Sequence, residues 1–313
     1  MWVYIVRRLL ATIPVVGVVA VFVFLLLHLT PGDPAVVIAG SDAMPKDVEL
    51  IREKLGLNEP IHIQFAKWSS HILRGDLGDS IYSGMPVTTL IAQRIEPTLS
   101  LATVSILVAI VLAVPLGVVA AWRAGTWIDY LVMIFVVLGF SIPVFVIGYV
   151  LMYGFSIRAH IFPVQGFVSI GQGLFPFLRS ITLPSVALGL IYAALIARIT
   201  RASLLEVLGE DYIRSAHAKG LRPWVVLLRH ALKNASVPIV TIIGVGIGML
   251  IGGVVVTESV FNIPGLGRLV VDSVLARDYP VIQGIILMFS GIYLLINLIV
   301  DISYTFLDPR IHY

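Results

Sequence analysis

Six long apolar runs dominate this chain and restrict it to one class of fold. Polar segments separate the runs, which cover roughly residues 9–29, 99–122, 130–155, 183–199, 238–256 and 281–306. At about 1.5 Å per helical residue, each run is long enough to cross a hydrocarbon layer about 30 Å thick. Because lipid offers the backbone no hydrogen-bond partner, each run is predicted to be a transmembrane helix.

The composition supports the same class. Of the 313 residues, 58% are apolar and only 12% are charged, whereas soluble proteins carry about 25% charged residues. We therefore expect an all-α polytopic membrane protein whose first run is retained as an anchor. The net charge of +3 is spread over the loops and gives no nucleic-acid-binding surface. The chain has no cysteine, which excludes disulfides, iron–sulfur clusters and thiol chemistry.

The basic residues predict the orientation. Six spans place both termini on one side, and putting that side in the cytoplasm leaves eleven basic residues inside and four in short outside loops. Both termini are therefore predicted to be cytoplasmic, with the long segment 31–97 left out of the count because of its length. The inside group is Arg7, Arg8, Arg123, Arg198, Arg201, Arg214, Lys219, Arg222, Arg229, Lys233 and Arg310, and the outside group is Arg158, Arg179, Arg268 and Arg277.

The outside segment 31–97 is patterned too regularly for a disordered linker. It holds "PKDVELIREKLGL", in which Val48, Ile51 and Leu55 recur at helical spacing. The segment is expected to be either a folded cap or a docking surface for an external partner. The chain then divides into 1–30, 31–97 and 98–313.

Within the spans, a few small or polar residues stand out. Gly244, Gly248 and Gly252 recur every four residues in the fifth run. They predict a face for close helix packing or, alternatively, a face toward a pore or a second subunit. Ser141 and Pro143 interrupt the third run.

Two acidic residues in the spans have open roles, because intramembrane charges are costly and often functional. Glu258, at the outer end of the fifth run, is interpreted either as a residue at the water interface or as a functional group. Asp301, in the sixth run, is expected to pair with a nearby arginine such as Arg310 rather than to bind a substrate.

The longest polar stretch in the second half of the chain is "EDYIRSAHAKGLRPWVVLLRHALKNASVP", residues 210–238, here called the polar loop. A short helix is predicted from Asp211, with Gly220 in the left-handed conformation that ends a helix. Pro223 suits the start of a second helix. Such a slim, projecting helix fits a groove in a partner protein or, alternatively, lies on anionic lipid.

The sequence contains no reacting group typical of an intramembrane enzyme. The spans hold no histidine pair at metal-ligand spacing, no GxSG serine and no paired-aspartate motif. No catalytic or metal-binding residue is therefore predicted. A glycine-rich phosphate loop ending in Lys-Ser or Lys-Thr is also absent, so we expect the chain to bind no ATP and no other cofactor of its own.

A series of motifs along the whole chain resembles one known family. They include "RRLL", "PGDP", "GDLG", "SIP", "EDYIRSAHAKG", "HALKNASVPIVT", "VVVTESVFNIPGLGRL", "DYPVIQG" and "NLIVDISYTFLDPRI". In this order they resemble the permease subunits of bacterial ATP-binding-cassette importers for peptides, nickel and glutathione. The resemblance implies a type I importer fold with six transmembrane helices and a large extracytoplasmic segment between the first two. It also implies a non-catalytic, multi-pass protein of the bacterial inner membrane.

The family's cytoplasmic motif is Glu-Ala-Ala, three residues, then Gly. Arg214 and Ser215 stand at its first two positions, Ala216 and Gly220 match it, and His217 occupies a position where such permeases often have Arg. The resemblance implies a coupling helix, in a loop of about 201–237, seated in a cleft of an ATPase subunit. Its predicted contact residues are Asp211, Tyr212, Arg214, Ser215, Ala216, His217, Lys219 and Gly220.

The resemblance also implies partners and a pathway. The partners are a homologous second permease subunit (a different chain or a second copy), two cytoplasmic ATPase subunits or domains that bind ATP and Mg²⁺, an extracytoplasmic substrate-binding protein and membrane lipid. The expected substrates are di- or oligopeptides or glutathione, and alternatively nickel complexes or oligosaccharides. The rival class is an ATP-independent channel or secondary transporter, which the absence of internal repeats and the projecting loop disfavour. The residues predicted to line the pathway are Ser141, Gly248, Gly252 and Glu258.

Overall fold

A computed structural model describes residues 2–29, 33–40, 43–54 and 56–307. Nearly all of these residues are helical, and the only β pairing among them is an isolated bridge between Asp79 and Pro86. The prediction of an all-α fold is therefore confirmed. In chain order the helices are α1 (Trp2–Leu29), α2 (Pro34–Ala39), α3 (Pro45–Lys54), α4 (Ile61–Leu73), α5 (Val87–Trp122), α6 (Trp127–Ser141), α7 (Val144–Leu151), α8 (Leu174–Leu208), α9 (Asp211–Ala218), α10 (Pro223–Val225), α11 (Leu232–Asn234), α12 (Ser236–Val260), α13 (Leu266–Ala276) and α14 (Tyr279–Leu307).

In the described part of the chain, α1, α5, α8, α12 and α14 are each long and apolar enough to cross a membrane. The pair α6 and α7 supplies a sixth span if the two are counted together. Two spans are longer than predicted, because α5 begins at Val87 and α8 extends from Leu174 to Leu208. Hydropathy marks only the apolar middle of such helices, whereas their polar ends continue the same backbone.

The third predicted span is two helices rather than one continuous helix. α6 ends at Ser141, Ile142 is extended, and α7 begins after Pro143 at an angle of 105° to α6. Proline lacks an N–H and disfavours a helical conformation in the residue before it, which accounts for the break. The interruption predicted at Ser141 and Pro143 is thus confirmed. A π-helical turn, Met152–Arg158, continues α7.

One compact unit consists of Met1–Ile95 and Arg268–Leu295. In it the outside segment is folded: the Trp68 indole N–H donates to Gln283 Oε1 at 3.3 Å, and Gln283 Nε2 donates to the Val23 carbonyl at 3.0 Å. The Ser80 hydroxyl donates to the buried carboxylate of Asp278 at 2.5 Å. These bonds link the segment to α1 and α14. The helix predicted in "PKDVELIREKLGL" is present as α3.

The second unit, Glu96–Gly267 with Ile296–Tyr313, is built around α8. This helix contacts α6, α7 and α12. In its most apolar stretch 72% of the residues are buried inside the chain, against 39% or less in the other long helices. Small residues permit this packing. A Cβ added to Gly117 of α5 would lie 2.6 Å from Thr200 Cβ, and one added to Gly139 of α6 would lie 2.7 Å from Ala194 Cβ.

A partly buried ion pair also joins α6 to α8. Asp129, in the first turn of α6, is 3% exposed. Its carboxylate accepts from Arg201 Nε at 2.5 Å and Arg201 Nη2 at 2.7 Å, and from the Gly125 N–H at 3.0 Å. The sequence did not predict this pair. Because both carboxylate oxygens accept from one edge of the guanidinium, Nε and Nη2, the pair is a bidentate and specific contact between the two helices.

We predict that Gly117→Ala destabilises the chain by about 1–3 kcal/mol, the usual effect of overpacking. The added methyl would also lie 2.7 Å from the Ala197 carbonyl oxygen, which is backbone and cannot rotate away. Thermal unfolding of the chain in mild detergent measures the effect. Gly291→Ala is the control, because nothing lies within 4 Å of its added Cβ. Equal melting temperatures for the two variants would contradict the packing argument.

Candidate functional site in the polar loop

The polar loop folds as its sequence predicts. α9 spans Asp211–Ala218, with the acid Asp211 in its first turn. Gly220 has φ +77°, the left-handed conformation that glycine adopts without strain. α10 begins at Pro223, where the missing N–H leaves no helical hydrogen bond unmade. The loop is therefore a helix, a tight turn and a second helix.

One face of α9 is fixed to the rest of the second unit by two apolar side chains. Ile213 is 2% exposed and Ala216 is 8% exposed. They belong to one buried cluster with the ends of α5 and α8 and with the π-helical turn Val226–Ala231 that follows α10. Ile213 was not singled out in the sequence, although its spacing of three residues from Ala216 in a polar helix marks an inward face. Ala216, a predicted contact residue, lies on that inward face.

The opposite face of α9 is exposed and polar. Arg214 Nη1 lies 3.2 Å from Asp211 Oδ1, and the Tyr212 hydroxyl accepts a hydrogen bond from Asn234 Nδ2 at 2.7 Å. Both side chains of this ion pair are largely exposed to solvent, so the pair adds little stability. Apart from Ala216, the predicted contact residues are all exposed: Asp211, Tyr212, Arg214, Ser215, His217, Lys219 and Gly220. Seven of the eight are thus exposed, five of them on α9 and two, Lys219 and Gly220, directly after its end.

The polar loop continues into the fifth span almost without interruption. α10 passes through the π-helical turn into α11, and a single residue, Ala235, separates α11 from α12. π-helical turns are rare and are often found at functional sites. α9 packs against the π-helical turn, so a displacement of α9 would reach α12 through that contact and then along a nearly continuous helical backbone.

The glycines of α12 face different surroundings. A Cβ added to Gly244 would lie 2.5 Å from Val300 Cγ2, whereas nothing lies within 4 Å of one added to Gly252. Close packing against α8 involves Gly253, whose added Cβ would lie 2.6 Å from Leu188 Cδ1, and this contact was not predicted. Gly252 is exposed and Gly248 is half-buried. The predicted glycine stripe therefore packs at Gly244 and is open at Gly252.

Ser141 is exposed as well, at the break between α6 and α7, and its hydroxyl donates to the Val137 carbonyl at 2.9 Å. The place of Ser141, Gly248 and Gly252 along a pathway stays a prediction. The predicted pairing of Asp301 with Arg310 cannot be placed, because Arg310 lies outside the described residues.

The interpretation of Glu258 as a residue at the water interface is wrong. Its side chain is 0% exposed, and its Oε1 accepts a hydrogen bond from Thr98 Oγ1 at 2.6 Å. The same Thr98 oxygen accepts from the Leu266 N–H at 2.7 Å. The turn after α12 folds over the carboxylate and shields it from solvent. No contact tests the assignment of Glu258 to a pathway, which stays a prediction.

The unit that contains the outside segment has a cavity of about 850 Å³. Apolar side chains of α1, α4 and α14, including Phe24, Trp68 and Leu287, form part of its wall, and charged groups such as Glu53 and Asp79 also line it. Between residues 2 and 307, apart from the short undescribed gaps, no group of three or more His, Asp or Glu side chains is arranged to hold a metal.

Comparison with known proteins gives consistent matches over the chain. Residues 113–313 match the family "Binding-protein-dependent transport system inner membrane component", and residues 1–102 match the N-terminal family of such membrane components. "Probable peptide ABC transporter permease protein y4tP" of Sinorhizobium fredii is 54% identical over all of both chains. "Glutathione transport system permease protein GsiC" of Salmonella paratyphi A is 45% identical over 99% of both.

Among solved structures, the chain resembles one titled as inward-facing conformations of the MetNI methionine ABC transporter. The TM-score is 0.56 at 19% identity, covering 70% of this chain and 96% of the other. At this level of identity the match concerns the fold alone, and it supports the predicted importer-type arrangement of helices.

We predict that Ile213→Ala loosens α9 while the rest of the unit stays folded. Truncating a buried isoleucine costs about 2–5 kcal/mol, which corresponds to amide exchange in α9 that is faster by about thirtyfold or more if α9 opens locally. Hydrogen exchange read by mass spectrometry over residues 211–218 measures the change. Ser215→Ala is the control, because Ser215 is exposed on the same helix. Equal exchange in both variants would show that Ile213 does not hold α9.

Proposed function

The chain belongs to the family of binding-protein-dependent transport system inner membrane components, and on that basis we propose that it forms half of the pathway of an ATP-driven peptide importer. It is a multi-pass transport component of the membrane. The proposed substrates are di- or oligopeptides, with glutathione among them. The observation that carries the proposal is the polar loop: its exposed helix α9 packs by its inner face against the helical segment that continues into a membrane span.

The proposed role of α9 is to couple transport to ATP hydrolysis in partner subunits. The sequence has no phosphate-binding loop, so this chain is proposed to be non-catalytic and to take up energy through a contact. α9 offers an exposed face with Arg214 and His217, which Lys219 extends directly after the helix, and an inward face anchored by Ile213. A partner that displaces α9 moves the anchored cluster and α12 with it. ATP can shift the equilibrium between two transport states of the complex only if the contacts between its subunits differ between those states.

The proposed substrate class rests on the relatives. The two curated proteins compared above are named for peptide and glutathione transport, and they match this chain over nearly all its length at 54% and 45% identity. Glutathione is itself a small peptide, so one pathway suited to short peptides accounts for both names. Selection among peptides is proposed to lie with the external binding protein.

The proposed partners are those that membership of the family implies, and we assign each of them to an exposed surface. A second, homologous permease subunit would pair with this one, and the exposed Gly252 and Ser141 would face the pathway between them. Two cytoplasmic ATPase subunits would receive the α9 helices. The binding protein would dock on the outside segment, where Leu73 and Tyr82 are 88% and 82% exposed. With this arrangement both termini are cytoplasmic.

We predict that reversing the charge of α9 releases the ATPase subunits. Arg214→Glu combined with Lys219→Glu should lower their recovery about tenfold or more, since unfavourable charge contacts at an interface cost several kcal/mol. The tagged chain is purified from its native host in mild detergent, and the co-purified ATPase subunits are identified and quantified by mass spectrometry. Lys233→Glu is the control, because Lys233 is exposed in the polar loop but lies in α11, outside the predicted contact segment 211–220.

Two results would contradict this proposal. Full recovery of ATPase subunits with the double variant would exclude α9 as the contact. Peptide uptake into liposomes by the purified chain alone, without ATP, would instead favour a channel.

We further predict that the outside segment is required for docking of the binding protein. Deleting residues 45–85 should abolish docking and leave the ATPase contact intact. The deletion also removes Trp68 and Ser80, whose hydrogen bonds satisfy Gln283 and Asp278. The sharper variant is therefore Leu73→Ser with Tyr82→Ser, which leaves those bonds in place. Docking is measured as binding-protein-stimulated ATPase activity of the whole complex. Unchanged stimulation in the double variant, with docking retained in the deletion, would count against this surface.

A further inference from the structure

The carboxylate of Glu258 is enclosed at the turn that joins α12 to α13. It accepts from Thr98 Oγ1 of α5, and that oxygen accepts from the backbone N–H of Leu266. Because a backbone N–H can only donate, the single hydroxyl proton of Thr98 is left for Glu258. The direction of both hydrogen bonds is thus fixed. Thr98 joins the side chain at the end of α12 to the first residue of α13.

The backbone of the turn is shaped to fit this carboxylate. A Cβ added to Gly265 would lie 2.0 Å from Glu258 Oε1, and one added to Gly267 would lie 3.0 Å from Glu258 Oε2 and 2.7 Å from Val255 Cα. Only a residue without a side chain permits such an approach. The two glycines of "PGLG" therefore allow the chain to fold closely over Glu258.

The same turn is held at two further points. Phe261 is 2% exposed and its ring would lie 3.1 Å from a Cβ added to Gly148 of α7. The Phe261 carbonyl accepts from the Gly166 N–H at 2.9 Å. Ile263 is fully buried as well. The turn, here called the anchor, is thus held by the buried apolar side chains of Phe261 and Ile263 and by the hydrogen-bonded, buried carboxylate of Glu258.

α12 has this anchor at one end and the polar loop at the other. A rigid helix that is displaced at one end tilts in a defined way only if its other end is held. Building on the proposed function, we propose that Glu258 is a positioning residue that fixes the far end of α12. A movement of α9 is then converted into a tilt of α12 and of its exposed Gly252.

Paired substitutions at Glu258 and Thr98 separate the hydrogen-bonding role of Glu258 from its negative charge. Glu258→Gln keeps an oxygen that accepts from Thr98, whereas Glu258→Ala removes this hydrogen bond between α12 and α5. Thr98→Val removes the hydroxyl at nearly constant volume and leaves the Leu266 N–H unsatisfied, whereas Thr98→Ser keeps it. Burying a polar group without its partner is costly, so the members of each pair are expected to differ.

The test uses the whole complex in liposomes, with both permease subunits, the ATPase subunits and a peptide-loaded binding protein. The quantity measured is the number of ATP molecules hydrolysed per peptide imported, at equal amounts of assembled complex. Thr98→Val and Glu258→Ala are expected to raise this ratio about tenfold. Thr98→Ser and Glu258→Gln are expected to stay within about twofold of the parent.

A steric variant adds an independent test. Gly265→Ala places a methyl where the carboxylate lies and should raise the ratio as Glu258→Ala does. Combining the two removes the collision, so the amount of assembled complex should recover while the ratio stays high. Recovery of a normal ratio in the combined variant would overturn the proposal, because transport would then be coupled without Glu258.

The remaining outcomes distinguish this proposal from the proposed function. In one outcome, the variants lower the yield of complex, but the complex still hydrolyses the normal number of ATP molecules per peptide. Glu258 would then have only a structural role, and its positioning role would be overturned. A parent chain that assembles with no ATPase subunit would overturn the proposed function itself, and the positioning role with it.

Discussion

The close approach of neighbouring helices to α8 is the contact on which the rest of the structure depends. Lipid tails are as apolar as the side chains of the spans, so no hydrophobic driving force joins the helices in a membrane. Packing and hydrogen bonding must hold them together, and both need short distances. Gly117, Gly139 and Gly253 let α5, α6 and α12 come near α8, and the pair of Asp129 with Arg201 adds a directed polar contact.

This packing also explains how a cytoplasmic helix can be joined to a membrane span. The ends of α5 and α8 supply Val118 and Leu204 to the cluster that receives Ile213 and Ala216 of α9. α9 therefore packs against the end of α8, whose apolar stretch is the most buried among the long helices of the described residues. The backbone then continues through α11 into α12, which ends at the enclosed Glu258. Side-chain contacts and continuous backbone thus connect α9, the proposed contact with the ATPase, to α12, which is proposed to line the pathway.

Much of this could be predicted from the sequence, because local chemistry decides it. The apolar runs predicted the spans, Pro143 predicted the break in the third, and Gly220 with Pro223 predicted the turn after α9. Residues whose role depends on distant partners were missed or misread. Arg201 lies 72 residues from Asp129 and Thr98 lies 160 residues from Glu258, so no local pattern reveals either pair. Likewise, spacing alone does not tell which glycine of α12 packs inward.

The most direct test of the central claim is to ask what α9 touches in the working complex. The chain has no cysteine, so His217→Cys introduces a single thiol on the exposed face of α9, to which a photo-crosslinker can be attached. Cross-linking is carried out in native membranes, and the product is identified by mass spectrometry. If α9 couples transport to ATP hydrolysis, an adduct with an ATPase subunit is expected, and its yield should change when ATP is added. Adducts with lipid alone, unchanged by ATP, would contradict this coupling role.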